Sequence, residues 1–163
     1  MPLDTSLIKA NYSTEKDNIL DNFYLPVLKN ATRYDRAVGY FSTEALLWIL
    51  QGLDGLIKNN GTMRLVVGSR LDDDEYDAIK NNGPNSLEAQ EKIYNDFISK
   101  WNELIESKDM FELKKYRLGV FSWLAKTNKL EIKFALRKKG MFHKKIGVVK
   151  GKEFTVVFNG SLN

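Results

Sequence analysis

Two short apolar runs on either side of a helix-like segment limit what this chain can fold into. Residues 37–41 (Ala-Val-Gly-Tyr-Phe) form one run, and residues 63–67 (Met-Arg-Leu-Val-Val) form the second. Between them Leu46, Ile49, Leu50, Leu53, Leu56 and Ile57 recur every three or four positions, which places them on one face of a helix over about 44–59. Ser42 or Thr43 is suited to cap that helix, Glu44 falls in its first turn, and Asn60-Gly61 ends it. A strand, a helix and a strand of these lengths make a parallel crossover, because a tight turn cannot join parallel strands. The expected fold class is therefore α/β. Gly39, inside the first run, marks a bulge or the close approach of another backbone.

The flanking segments fit around this unit. Residues 1–13 read as irregular. Ser13 is placed to cap a helix over about 14–30, with Ile19, Leu20, Phe23 and Leu28 on its apolar face and Pro26 kinking or breaking it. After the second strand, the acidic stretch 70–75 reads as a solvated helix start rather than a Mg²⁺ site, and a short helix follows near 76–81. Gly83-Pro84-Asn85 is a break. Two helices are then expected, over 86–107 and 110–126. The first carries Ile93, Phe97, Trp101 and Leu104, and the second carries Phe111, Tyr116, Val120, Phe121, Trp123 and Leu124. Aromatic stripes at helical spacing are read as core rather than as base-stacking platforms. This helical pair, about 86–126, is inserted ahead of a third strand in which Leu130, Ile132, Phe134 and Leu136 alternate with polar residues.

Composition narrows the chemistry. A chain of 163 residues, 43% hydrophobic, is expected to be a single domain with a full core. With no cysteine, disulfides and thiolate metal sites are excluded, and a single histidine argues against a histidine-based zinc site. No signal-peptide pattern is present at the start, and no apolar run approaches about 18 residues, so a cytoplasmic protein with no membrane partner is expected. The net charge of +4 is unevenly placed: residues 137–163 carry +6 and residues 1–136 carry −2. Arg137, Lys138, Lys139, Lys144, Lys145, Lys150 and Lys152 stand in one stretch with no acid among them. Such a stretch attracts a polyanion such as DNA. The plainer alternative is a solvated hairpin whose lysines blunt a sheet edge.

That basic stretch surrounds the lone histidine, His143. Residues 146–149 and 154–158 are β-branched or aromatic rich, with Gly151-Lys152 between them, and so read as a hairpin that ends at Gly160-Ser161-Leu162-Asn163. An imidazole, an ammonium, a hydroxyl and an amide then gather at one end of two adjacent strands. This set suits a phosphate, which needs a nucleophile or proton shuttle and donors for its oxygens.

His143-Lys144-Lys145, an apolar strand, a glycine-containing turn, a second apolar strand and Gly160-Ser161-Leu162-Asn163 together resemble the HxK…GSxN signature of the phospholipase D superfamily. HxK alone is weak, but the ordered combination is far more specific. Residues 36–42 (Arg-Ala-Val-Gly-Tyr-Phe-Ser), and 52–57 ahead of 63–68, resemble the N-terminal half of such domains, particularly those joined to helicases and restriction enzymes. The resemblance covers most of 33–163 and leaves 86–126 unexplained. It implies an α/β/α sandwich with a mixed sheet, in which the two motifs lie on adjacent strands. It implies His143 as the nucleophile that becomes a phosphohistidine, Lys145 on the non-bridging oxygens, and Ser161 and Asn163 as orienting groups, with no metal and no cofactor. One histidine per chain implies a homodimer that supplies a second as general acid. Lys138, Lys139, Lys144 and Arg36 are the expected substrate-binding cations. The implied activity is that of a metal-independent DNA nuclease domain in a restriction, defence or helicase-linked protein. A non-catalytic nucleic-acid-binding or dimerisation module of the same fold is the alternative. A lipid phosphodiesterase ranks last, since no amphipathic membrane-binding segment is evident.

The chain departs from the signature in two ways. Lys150 stands where the full motif has an aspartate, five residues after the lysine. Family members also continue past GSxN with a further strand and helix, and the helicase-linked ones use a glutamate shortly after it. Residues 1–163 are therefore expected to be the N-terminal portion of a longer protein, with a helicase domain as one candidate for the remainder.

Overall fold

The computed structural model describes residues 3–39, 52–68, 112–135 and 142–160, with helical positions at 91, 94, 95 and 99 and only the backbone of 112–118. It is a mixed α/β structure. The strands among the described residues are β1 (Ala31–Val38), β2 (Thr62–Gly68), β3 (Leu130–Ala135), β4 (Lys145–Gly151) and β5 (Thr155–Asn159). They form one sheet in the order β3-β2-β1-β4-β5. β1 and β2 run parallel, as the crossover pattern predicts, and β2 and β3 are also parallel. β4 pairs antiparallel with β1, and β5 antiparallel with β4. The chain divides into two compact units, Met1–Ser69 with Val120–Asn163, and Arg70–Gly119. All five strands belong to the first.

β1 is the central strand, and its alternation sorts the sheet into two faces. Tyr34, Arg36 and Val38 point to the buried face, together with Met63, Leu65 and Val67 of β2 and Val149 of β4. Helices α1 (Leu25–Lys29) and α2 (Leu53–Lys58) pack on β1. Val27, Leu28, Leu53 and Leu56 are wholly buried. Phe121 and Leu124, near the end of α3 (Glu112–Lys126), are equally buried. Removing one such side chain from water contributes about 1.5–3 kcal/mol. Trp123, expected in the same stripe, is instead 47% exposed, because one residue's rotation separates it from the buried Leu124.

The second face is polar and partly open. One cross-strand row runs Glu131, Arg64, Asp35, Val148, Val157. Arg64 donates two hydrogen bonds of 2.7 Å to the Asp35 carboxylate, and Arg33 donates from Nε at 3.0 and 3.1 Å. Partial burial pushes the Asp35 carboxyl up. The two arginines outweigh it and hold the group below the ordinary carboxylate range. An open groove of about 270 Å³ on this face is lined by Asp35, Arg64, Glu131, Lys133, Ile146 and Val148.

Three boundaries differ from the sequence expectation, each for a local reason. β1 begins at Ala31, not at 37: its charged positions look loop-like in sequence, but the sheet register pairs Asp35 with Arg64. The helix expected over 14–30 is a single turn followed by a shorter helix. Ser13 caps that turn, with its carbonyl accepting from Lys16 and Asp17 and its N–H donating to the Asp17 carboxylate. Asn18 then starts the true helix, its side-chain oxygen accepting from the Asp21 N–H. From Leu20 to Tyr24 the helix widens to a π-turn, closed by Leu25 N–H to the Leu20 carbonyl. Pro26 explains this, since it has no N–H to give Asn22 and its ring crowds that carbonyl. The freed Asn22 carbonyl accepts from the Tyr12 hydroxyl at 3.4 Å. Finally, the hairpin turn closes with Gly151 N–H to the Phe154 carbonyl at 3.0 Å, so Phe154 lies in the turn and β5 starts at Thr155. Residues 40–51, the acidic stretch 70–75, the break at 83–85 and most of the helix expected over 86–107 lie outside the described residues.

Candidate functional site

The histidine stands where β1 and β2 end and β4 begins. Gly39, directly after β1, has its α-carbon against the backbone of Phe142 and His143. A β-carbon there would lie 2.3 Å from the Phe142 carbonyl oxygen and 3.0 Å from the His143 α-carbon. This is the close backbone approach that Gly39 signals in the sequence. Gly68, at the end of β2, packs in turn on the Gly39 carbonyl. The backbone at His143 therefore rests on the carboxyl ends of two parallel strands, where open α/β sheets offer a crevice for ligands. The imidazole and the Lys144 ammonium are exposed, and Lys145, half-buried, opens β4 opposite Val38.

The second motif is tied directly to the first. The Gly160 N–H donates to the Lys145 carbonyl at 2.9 Å, just beyond the Ile146–Asn159 pair that closes the β4–β5 ladder. The Gly160 carbonyl accepts from Arg36 Nη2 at 3.0 Å. Both peptide groups of Gly160 are thus held, one by β4 and one by the central strand.

Arg36 reaches that carbonyl from inside the protein. It is only 3% exposed. Its guanidinium lies over the Phe158 ring at 4.9 Å, and Phe158 meets Phe23 and Tyr24 edge-on at 5.0 and 5.5 Å. Gly147 makes this possible. It lies between Arg36 and Phe158 in the cross-strand row, and without a side chain it lets the Phe158 ring lie across β4. Arg36 Nε and Nη1 and the Tyr34 hydroxyl are buried with no hydrogen-bond partner among the described residues. Burial also pushes the Tyr34 hydroxyl far above its ordinary value and raises Tyr24, both opposed by the Arg36 charge. Arg36 is therefore part of the scaffold under Gly160 and is not a solvent-facing cation.

Among the described residues, the lysines of the basic stretch do not form one patch. Lys144 and Lys145 sit at the histidine end of β4, while Lys150 and Lys152 sit at its far end. At about 3.3 Å per residue, position 150 is roughly 23 Å of strand from His143. A side chain there cannot touch the imidazole, so Lys150 in place of an aspartate removes no direct partner of His143. Lys150 instead lies opposite Arg33, and its carbonyl accepts from the Thr32 hydroxyl at 3.2 Å.

Of the expected site residues, His143, Lys144, Lys145 and Arg36 converge at one end of β1, β4 and β5. Lys138, Lys139, Ser161 and Asn163 lie outside the described residues. Phe158 and Gly147 support the site but carry no motif. Their signal in the sequence is a glycine inside an apolar strand, one strand away from a large ring. No protein-family model, no curated protein and no solved structure matches this chain.

Proposed function

We propose that the chain carries a metal-independent phosphodiesterase centre acting on DNA, of the kind found in phospholipase D-type nuclease domains. The observation that carries this reading is the hydrogen bond between Gly160 and Lys145, which brings the beginning of the GSxN segment against the HxK segment. In this reading the His143 imidazole attacks phosphorus and the Lys145 ammonium neutralises the oxygens. The P–O ester bond breaks, and the leaving oxygen takes a proton from a second histidine. Water then attacks the phosphohistidine, giving up its proton to that second histidine, and His143 is released. One chain has a single histidine, so a homodimer supplies the other. Ser161 follows Gly160 directly and Asn163 comes two residues later, and in this proposal the hold on Gly160 from Lys145 and Arg36 sets where this segment begins. The proposed fold is the α/β/α sandwich of that superfamily.

The test is cleavage of plasmid DNA by the protein in EDTA. Wild type should cleave, and His143→Ala should lower the rate by at least about a thousandfold, the scale set by loss of a catalytic nucleophile. Activity that appears only with added Mg²⁺ rules out the phosphohistidine route. DNA binding without cleavage, unchanged by His143→Ala, would point to the non-catalytic binding module instead.

A further inference from the structure

The strongest concentration of positive charge among the described residues lies at the end of the sheet opposite His143. There α1, α2 and α3 finish, β1, β2 and β3 begin, and the β4–β5 hairpin turns. The four segments meeting at that end are 29–33, 58–62, 126–129 and 150–153. They hold Lys29, Arg33, Lys58, Lys126, Lys129, Lys150 and Lys152 against a single acid, Glu153, for a net +6. The whole chain carries only +4, so everything outside this rim sums to −2. Nothing in the linear sequence marks the cluster, because the fold assembles it from four separate places.

The plain explanation is that lysines in the last turns of helices offset the helix dipoles, and Lys29, Lys58 and Lys126 do occupy such turns. Its size decides against it as the full account. Crediting each helix end with about −0.5 of an elementary charge leaves the rim at about +4.5. Arg33 is further offset by Asp35, but Arg64 shares that carboxylate, so the trio keeps one positive charge. Among the described residues Lys129 is engaged only by the carbonyl and side-chain oxygens of Asn60, which are neutral.

Side chains also tie the backbone of the rim together. Asn59 donates to the carbonyls of Lys29 and Ala31, Thr32 to that of Lys150, and Asn30 to that of Pro26. These polar side chains are spent on the protein's own backbone. The free donors are the ammonium groups of Lys29, Lys58, Lys126, Lys150 and Lys152, all exposed and without an ion pair among the described residues. Five strands at about 4.8 Å give the rim a length of roughly 19 Å, which matches about five phosphates of one DNA strand. No large exposed apolar side chain lies in these segments to enter a lipid surface.

We propose that this rim is a second polyanion-binding surface, which holds the phosphate backbone of nucleic acid without reading sequence and stands apart from the His143 centre. A strand held there lies about 20 Å from the imidazole. The rim therefore tethers nucleic acid and does not cut it.

The experiment measures binding of a labelled duplex DNA to the full chain in EDTA as a function of KCl, in the His143→Ala background so that cleavage plays no part. Lys58→Gln/Lys150→Gln/Lys152→Gln is compared with Lys9→Gln/Lys16→Gln/Lys133→Gln, which removes the same charge elsewhere. Thermal melting confirms that both triple variants are folded. The rim variant should lower the slope of log K against log salt by about 2 to 3, close to one for each phosphate that is no longer neutralised, and the control should lower it by less than about 1. Equal losses in the two variants, no DNA binding by the parent, or rim-dependent binding to anionic vesicles in preference to DNA would each overturn the proposal. Binding that depends on the rim in a protein that never cleaves DNA would leave this proposal standing and remove the nuclease reading.

Discussion

Gly147→Ala tests the packing under the site most directly. A β-carbon at 147 would lie 2.1 Å from Cζ of Phe158 and 2.3 and 2.7 Å from its two Cε atoms. Carbon atoms rest at about 3.5–4 Å, so the ring must retreat by roughly 1.5 Å. Its edge contacts with Phe23 and Tyr24 and its stack on Arg36 all depend on its present place. Overpacking costs about 1–3 kcal/mol, and weakening a desolvated cation–π contact adds up to about 2. Loss of glycine's freedom in the unfolded chain returns about 0.4–1 kcal/mol. The net expectation is a loss of about 2 kcal/mol, within a range of about 0 to 4.6, or a melting temperature lower by several degrees for a chain of this length. The assay is urea unfolding of wild type, Gly147→Ala, Phe158→Ala and the double variant. If the ring is the obstacle, Gly147→Ala in the Phe158→Ala background should be neutral or stabilising by up to about 1 kcal/mol. An equal cost in both backgrounds would refute the reasoning.

Two further expectations follow from the charged groups. Arg36→Met removes a buried cation that has no carboxylate partner among the described residues, so unfolding free energy should hold steady or rise while amide exchange at Gly160 quickens; a loss of about 3–5 kcal/mol would show that the guanidinium is fully paired. Asp35 has a folded-state pKa below its unfolded value of about 3.9, so its stabilising contribution is complete above that pH and disappears as pH falls through the lower, folded value. Asp35→Asn should cost about 1–3 kcal/mol at neutral pH and flatten the acid limb of the stability curve, read from urea midpoints against pH; an unchanged acid limb would refute the role of the two arginines.

The parallel crossover was legible from two apolar runs with a helix-period face between them, of which the described residues show Leu53–Lys58 as helix, and the terminal hairpin from two β-branched and aromatic runs around Gly151-Lys152. Gly39 was legible because a glycine inside a strand has few other uses. Arg36 was not: a charged side chain reads as solvent-facing, and only the fold reveals that Gly147 opens a slot for Phe158 to cover it. The π-turn at Leu20–Tyr24 was legible only as an interruption at Pro26, since a kink, a break and a widened turn all answer the same missing N–H. The division of the lysines between two ends of β4 follows from strand length alone. It is invisible in a linear count, which treats neighbours in sequence as neighbours in space.

The central position of β1 also sets the order in which the parts of the protein come together. Its contact with β2 joins Asp35 to Arg64, 29 residues apart, whereas Arg36 meets Gly160 across 124 residues. Closing a loop costs about (3/2)RT ln n, so the longer closure is dearer by roughly 1.3 kcal/mol before any contact rewards it. The parallel strands can therefore pair while the hairpin is still free. The end of the sheet that holds His143 is completed only across the β1–β4 seam, so the parallel pair can form before that end does.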